Sequence, residues 1–315
     1  MSRVLIIVNP AAGGGRAGRR WEALSEALRA SGLAFDAALT SRPGEATEMA
    51  RREVERSRPL VVAAGGDGTL NEVVNGFFEG EAPIPTGSAL GMIPLGSGGD
   101  FKRTFGLPAD PDGIAALFSA GEARPVDVGR AWFQREAAGR GLRHFINVAD
   151  AGIGGKVVAT VNRSRKPLGG RVAFVAASLS ALASWRNVPM RVTAGGAVRE
   201  LVAQQVVIAN GRYYGGGMKV APRADPRDGM FDVVLVGDLN LRENLRGLVQ
   251  IRSGHHLDGG NPKVEHLLAA RVEVEADAPV RVDLDGEGPG ALPAGFEVLP
   301  GAIRLLAPPG VGRHP

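Results

Sequence analysis

Residues 65–72 of this sequence, Gly65-Gly66-Asp67-Gly68-Thr69-Leu70-Asn71-Glu72, place a carboxylate inside a glycine-rich turn directly after the apolar run Leu60-Val61-Val62-Ala63-Ala64. Glycines let a backbone close on a ligand without Cβ contacts, and the free N–H groups at the start of a helix attract anions. Such a turn can hold phosphate. A carboxylate beside polyphosphate is repelled unless a Mg²⁺ ion or a transferable proton lies between them, so Asp67 points to phosphoryl transfer. A simpler role stands beside it: Asp67 as the N-cap of the helix implied by Leu70, Val73, Val74 and Phe77. A second glycine loop ending in an acid, Leu95-Gly96-Ser97-Gly98-Gly99-Asp100, follows the apolar run 90–94.

Three more groups of carboxylates lie further along. Asp225 and Asp228, spaced i,i+3 in a turn relaxed by Gly229, can aim two carboxylates at one hard cation, with the Met230 carbonyl as a third oxygen; two turn-forming aspartates explain them equally. The stretch Asp283-Leu284-Asp285-Gly286-Glu287 exposes Glu287 at a strand end and can set Asp285 beside it, an arrangement that favours base function, although a plain hairpin turn accounts for the triplet. Asp150, in Ala149-Asp150-Ala151-Gly152-Ile153-Gly154-Gly155, reads first as part of a glycine-permitted turn. His144, His255, His256, His266 and His314 form no metal-binding pattern, and the chain has no cysteine, which excludes disulfides, thiolate metal sites and a cysteine nucleophile. The reduced state this implies fits a cytoplasmic protein.

The elements that must carry these loops divide into two textures. In the first, strands over 4–8, 35–39, 60–64 and 90–94 alternate with helices over 19–30 and 45–56, one opening at Leu70, and further helical segments at 101–105 and 114–119, which is the pattern of a parallel α/β sheet. The loop Asn9-Pro10-Ala11-Ala12-Gly13-Gly14-Gly15 lacks both the GxGxxG order and the GK[ST] ending. From about residue 126 strands follow strands: 145–149, 190–193, 201–209, 231–236, 272–275 and 280–284, interrupted by helices over 171–185 and 242–252. That density predicts an antiparallel β domain.

Composition narrows the class. With 315 residues, 44% apolar, the chain is long enough for two domains or one large one. Its net charge is only +4, and of 37 basic residues five are lysine; arginine suits phosphate contacts and anionic membrane surfaces, and a GC-rich genome produces the same bias. No nucleic-acid partner is indicated. Residues 1–3 before the first strand are too few for a signal peptide, and the apolar stretch 172–185 is shorter than the ~20 residues of a spanning helix, so membrane contact is expected to be peripheral. Arg163, Arg165, Lys166 and Arg171, flanking that stretch, read by default as solvated charge and could favour an anionic bilayer.

The octet 65–72 resembles the GGDGTxNE signature of diacylglycerol and sphingosine-type lipid kinases, whose core also occurs in NAD kinases. Five further segments resemble lipid-kinase motifs and stand in family order: the Asn9–Gly13 loop, the Thr40-Ser41-Arg42-Pro43-Gly44-Glu45-Ala46 turn, residues 95–103, the Asn210-to-Met230 block, and Asp285-Gly286-Glu287. Ser97 stands where the family has threonine and Gly99 where it has asparagine. The resemblance, covering about residues 4–306, implies an α/β nucleotide-binding domain with a parallel sheet over 1–125, completed by 300–315, and a β-sandwich-like lipid-binding domain over 126–299, with the active site in the cleft between them. It implies ATP and Mg²⁺ as cofactors; nucleotide contacts from Asn9, Pro10, Ala11, Ala12, Gly13, Thr40, Gly65, Gly66, Asp67, Gly68, Thr69, Leu70, Asn71, Glu72 and Ser97; and a structural Mg²⁺ on Asp225, Asp228 and Met230. Glu287 inherits the role of general base, with Asp67, Asp100 and Asp285 as further catalytic residues. The expected reaction is transfer of the γ-phosphoryl group to a lipid hydroxyl, first of all that of diacylglycerol. Other acceptors (a sphingoid base, ceramide, a glycolipid or NAD) and a non-catalytic nucleotide-binding regulator are the alternatives. The expected partner is a lipid at the inner face of the cell membrane, and the resemblance leaves room for a homodimer.

Overall fold

The structure, a computed structural model, describes residues 3–96, 98–135, 139–156 and 184–309. Ser97, the expected helix over 171–185 up to residue 183, and the basic group at 163–171 lie outside the described residues. The chain forms two units, Met1–Val126 with Gly301–Pro315, and Asp127–Pro300.

In the first unit β1 (Val4–Val8), β2 (Asp36–Leu39), β3 (Leu60–Gly65) and β6 (Ala89–Pro94) form a parallel sheet in the order β2-β1-β3-β6. The register runs Val4↔Leu60 to Val8↔Ala64 between β1 and β3, and Leu60↔Ala89 to Gly65↔Pro94 between β3 and β6. These central strands are apolar along their whole length because both faces are covered, as parallel sheets require. The helices α1 (Arg16–Ala30), α2 (Glu45–Glu55) and α3 (Asp67–Asn75) are the crossovers, and each buries one stripe: Ala17, Trp21, Leu24 and Leu28 on α1, for example. Trp21 meets Phe35 edge-on with ring centroids 6.0 Å apart. A two-residue hairpin, β4 (Phe78–Glu79) and β5 (Ala82–Pro83), then α4 (Asp100–Phe105) and α5 (Pro111–Ala120) complete the run. The end of a later strand, residues 301–307, returns to this unit, pairing Arg304↔Ala89 and Leu305↔Leu90 in parallel with β6.

The second unit is antiparallel among its described strands. It begins in β7 (Glu122–Gln134) and continues through β8 (Arg140–Phe145), β9 (Val148–Gly152), β10 (Val188–Ala194), β11 (Ala197–Ala203), β12 (Gln205–Ala209), β13 (Phe231–Val236), helix α6 (Leu241–Ser253), β14 (Val264–Ala269), β15 (Arg271–Ala276), β16 (Arg281–Leu284) and β17 (Glu287–Ala307). One run of neighbours is β14-β13-β12-β9-β16-β17, while β10 pairs with β11 and β15. The main core, including Phe145, Phe231 and Phe296, lies on one side of β12 with Val206 and Ile208; Val207 and Ala209 point the other way into a smaller cluster with Val220, Ala221 and Ala224. Buried on both faces, β12 is apolar without alternation from Val206 to Ala209.

Two expected strands are each divided. Residues 145–149 break at Ile146 and Asn147, where β8 ends and β9 begins, because three successive backbone N–H groups turn toward the Asp285 carboxylate. Residues 201–209 break at Gln204: β11 pairs with β10, whereas β12 pairs with β9 and β13, so the chain changes neighbours at that point.

Candidate functional site

The loops after β1, β2, β3 and β6 leave the same edge of the first unit's sheet, the carboxyl edge where open α/β sheets bind ligands. They are joined to one another. Asn9 N–H donates to the Ala64 carbonyl at 3.0 Å, and its side-chain amide donates to Thr69 Oγ1 at 3.1 Å. Asn9 Oδ1 accepts from Ala11 N–H, the Pro10 carbonyl accepts from Gly18 N–H, the Gly13 carbonyl accepts from Arg16 Nε, and Ala12 packs partly against the core. Thr40 N–H donates to the Val8 carbonyl at 2.8 Å.

The glycine loops after β3 and β6 touch. A Cβ on Gly96 would lie 2.5 Å from Gly66 Cα, so only glycine permits the approach. Asp67 bridges the two loops: its Oδ2 accepts from the N–H groups of Gly99 at 3.0 Å and Asp100 at 3.3 Å, while its Oδ1 is buried without a hydrogen-bond partner. Burial pushes the Asp67 carboxyl above its ordinary range, and the N–H groups of Asp100, Gly99 and Phe101 pull it back. Gly99 has φ +72°, a left-handed conformation that glycine adopts without strain and that asparagine also tolerates.

Four expected site residues, three nucleotide contacts and the catalytic Asp100, are buried or paired within the chain. Leu70 and Asn71 are fully buried in the first turns of α3, and Asn71 accepts from the Asn75 amide. Glu72 is held by the loop after β2: its carboxylate accepts from the N–H groups of Gly44 and Ala46, capping α2 and tying it to α3. Asp100 is buried and paired at 2.8 Å with Arg103, which also donates to the carbonyls of Gly98 and Gly99. Arg103, not singled out from sequence, clamps the loop; its i,i+3 spacing from Asp100 was the available signal.

In the second unit Asp285 is an anchor. Its backbone is left-handed (φ +53°), and its carboxylate accepts from Ile146 N–H and Asn147 N–H at 2.9 Å and Val148 N–H at 3.0 Å. An acid saturated by three donors is poorly suited to take a proton, which corrects its assignment as a catalytic group. Glu287, the first residue of β17, is exposed on the turn that Asp285 holds down. Behind that turn Asp283 lies opposite Asp150 in the β16–β9 register, and directly opposed side chains project from the same face about 5 Å apart at Cβ. Both are buried, Asp283 Oδ1 accepts from Gly286 N–H at 2.9 Å, and Asp283 Oδ2 and Asp150 Oδ1 have no hydrogen-bond partner. Burial pushes Asp150 up to about 7, and burial followed by the Asp150 charge pushes Asp283 well above the carboxylate range.

The carboxylates of the expected Mg²⁺ set have partners within the chain. Asp225 gives both oxygens to Arg227, at 2.8 and 2.9 Å, and Asp228 Oδ1 accepts from Met230 N–H at 2.9 Å. Among the described residues no group of three or more His, Cys, Asp or Glu side chains has metal-site geometry. The sequence spacing was right for a cation, but an arginine two residues from Asp225 is a closer counter-ion.

Comparison with known proteins gives these loops a context. The family described as Diacylglycerol kinase catalytic domain matches residues 3–131, and the one described as YegS C-terminal NAD kinase beta sandwich-like domain matches 147–307. A diacylglycerol kinase of Bacillus subtilis (strain 168) is 31% identical over 312 residues, covering 98% of this chain and 97% of its own. The chain belongs to the diacylglycerol kinase catalytic-domain family. A crystal structure of a diacylglycerol kinase from Bacillus anthracis str. Sterne superposes with TM-score 0.69 at 25% identity, covering 98% of this chain and 97% of that one. Yeast NADH kinase complexed with NADH, at TM-score 0.52 and 12% identity over 98% of this chain and 84% of its own, shares the fold. As a member of the diacylglycerol kinase family the protein is a lipid kinase, with an α/β catalytic domain followed by a β-sandwich-like domain, and kinases of this family use ATP.

Proposed function

We propose that this lipid kinase phosphorylates the free hydroxyl of diacylglycerol, giving phosphatidic acid, as a peripheral enzyme on the cytoplasmic face of a membrane. The observation that carries the reading is the Asp67 carboxylate: one oxygen is held by backbone donors of the second glycine loop and the other is buried with no partner. Buried polar atoms without partners are expensive, and a cation beside bound phosphate removes the penalty. Asp67 Oδ1 is thus the atom that fits Mg²⁺, which when bound to ATP neutralises charge on the transferring phosphates. The linked loops at Asn9–Gly13, Thr40, Gly65–Gly68 and Gly96–Asp100 supply backbone groups and helix N-termini for the nucleotide. Glu287 accepts the proton of the lipid hydroxyl as the hydroxyl oxygen bonds to the γ-phosphorus of ATP, the bond from that phosphorus to the β,γ-bridging oxygen breaks and ADP leaves; Asp285 holds the turn that presents Glu287.

The test is Glu287→Gln assayed with labelled ATP and diacylglycerol in mixed micelles. The amide keeps the shape and cannot take a proton, so kcat should fall by ~10²–10⁴-fold with nucleotide affinity nearly unchanged. Wild-type turnover by this variant, where chemistry is rate-limiting, would overturn the assignment, and a preference for a sphingoid base or glycolipid over diacylglycerol would overturn the substrate.

A further inference from the structure

Helix α6 is built the wrong way round for a surface helix. None of its 13 residues is buried, and Leu241, Leu245 and Val249 are 70%, 51% and 73% exposed. At 100° per residue these three fall within an arc of about 80°, forming one apolar stripe along the helix. Its seat on the second unit is made by other residues: Asn244 accepts from the Gln204 amide at 2.8 Å, Ile251 packs against the smaller core cluster, and a capping box of Asn240 and Glu243 fixes the first turn. An ordinary amphipathic helix turns its leucines to the core and its charges to water.

The charges along the stripe are positive. Arg242 and Arg246 each follow a stripe leucine by one residue, bordering the arc on one side, and Arg252 falls within the arc at its C-terminal end. The helix's acid, Glu243, lies away from the stripe and is paired with Lys263 at 2.9 Å. An apolar strip bordered by arginines complements an anionic phospholipid surface: the aliphatic side chains enter the acyl boundary while the guanidinium groups stay among the phosphates.

We propose that α6 docks this kinase onto anionic membrane, with Leu241, Leu245 and Val249 inserted and Arg242, Arg246 and Arg252 at the headgroups. This rests on the reading that the acceptor is a membrane lipid, and it assigns the contact to a helix distinct from the apolar stretch 172–185.

The test compares the wild type with the combined variant Leu241→Ser, Leu245→Ser, Val249→Ser, and separately with Arg242→Glu, Arg246→Glu. The residues are exposed, so both variants should fold, which circular dichroism checks. In vesicle sedimentation the wild type should bind phosphatidylcholine vesicles containing phosphatidylglycerol, less so at high salt, and the serine variant should bind more than about tenfold more weakly. Activity on long-chain diacylglycerol in those vesicles should fall in parallel, while activity on a short-chain diacylglycerol dissolved as monomers stays at the wild-type level. Equal vesicle binding by wild type and serine variant overturns the proposal. So does a change of oligomeric state on sedimentation without a change in lipid binding, which would make the stripe an interface between two copies. Glu287→Gln separates the two readings: it should bind vesicles normally and turn over neither substrate, so an active Glu287→Gln sinks the base assignment and leaves the docking result standing.

Discussion

Asp150→Asn should change how the protein's stability depends on pH. Asp150 and Asp283 face each other from β9 and β16, 3% and 5% exposed, each with an oxygen lacking a partner. Burial, offset in part by the Gln205 side chain and Gly155 N–H, moves Asp150 from the ordinary 3.8 up to about 7. Asp283 moves the same way through burial and the charges of Asp150, Asp285 and Glu287, opposed by Gly286 N–H. A folded-state value above the unfolded one means that the native protein keeps a proton the unfolded chain has released. Its contribution is therefore fully present below about pH 3.8 and is lost as pH rises through about 7. From pH 5 to pH 7 the loss is on the order of 2 kcal/mol, the slope being close to one proton per pH unit near pH 5 and half of that at about 7. In a protein of this size that lowers Tm by roughly 3–6 °C. Asparagine replaces the protonated acid almost isosterically and cannot ionise. Thermal unfolding followed by circular dichroism at pH 5, 6, 7 and 8 should show the wild-type decline, a much flatter curve for Asp150→Asn, and a flatter one still for the Asp150→Asn, Asp283→Asn double variant, because the titration belongs to the pair. A variant whose Tm falls with pH as steeply as the wild type would refute the buried-proton argument.

Asp67→Asn should keep the acceptor for Gly99 and Asp100 N–H and so change Tm little, while kcat with Mg·ATP drops by ~10²-fold or more, read from initial rates over a magnesium titration; a variant with wild-type rates removes Asp67 from the site. Gly96→Ala forces a methyl group to 2.5 Å from Gly66 Cα, so it should cost about 1–3 kcal/mol in denaturant unfolding and weaken nucleotide binding; unchanged stability would show that the two loops are not in contact. Because Arg227 already neutralises Asp225, millimolar Mg²⁺ without nucleotide should leave Tm unchanged, and a magnesium-dependent rise abolished by Asp228→Ala would restore the structural cation site.

The first unit was legible because its information is local. Buried parallel strands such as β1 and β3 must be apolar throughout, crossover helices must show a 3.6-residue period, and a tight turn leading to a helix must be rich in glycine; each demand falls on adjacent residues. The same holds for the antiparallel texture after residue 126, where strand runs and turn signals alternate. Residues 65–67 and 96–100 could be placed at strand ends by this reasoning, since a loop's position in the chain fixes the strand it follows.

What the tertiary structure decided is the state of each carboxylate. Asp67, Asp100, Asp225, Asp283 and Asp285 are one residue type, or nearly one motif, in sequence. In the fold Asp67 bridges two loops with one buried oxygen left without a partner, Asp100 and Asp225 are paired with Arg103 and Arg227, Asp283 shares its burial with Asp150, and Asp285 is saturated by N–H groups. The partner that divides residues 145–149 into two strands, Asp285, lies 138 residues from Asn147, and the Asp150–Asp283 pair is joined only by sheet register. A carboxylate's charge and role depend on the donors, counter-ions and solvent within a few ångströms of it, and those arrive from distant parts of the chain. Local residue type names the groups that can do chemistry; packing determines which of them are left to do it.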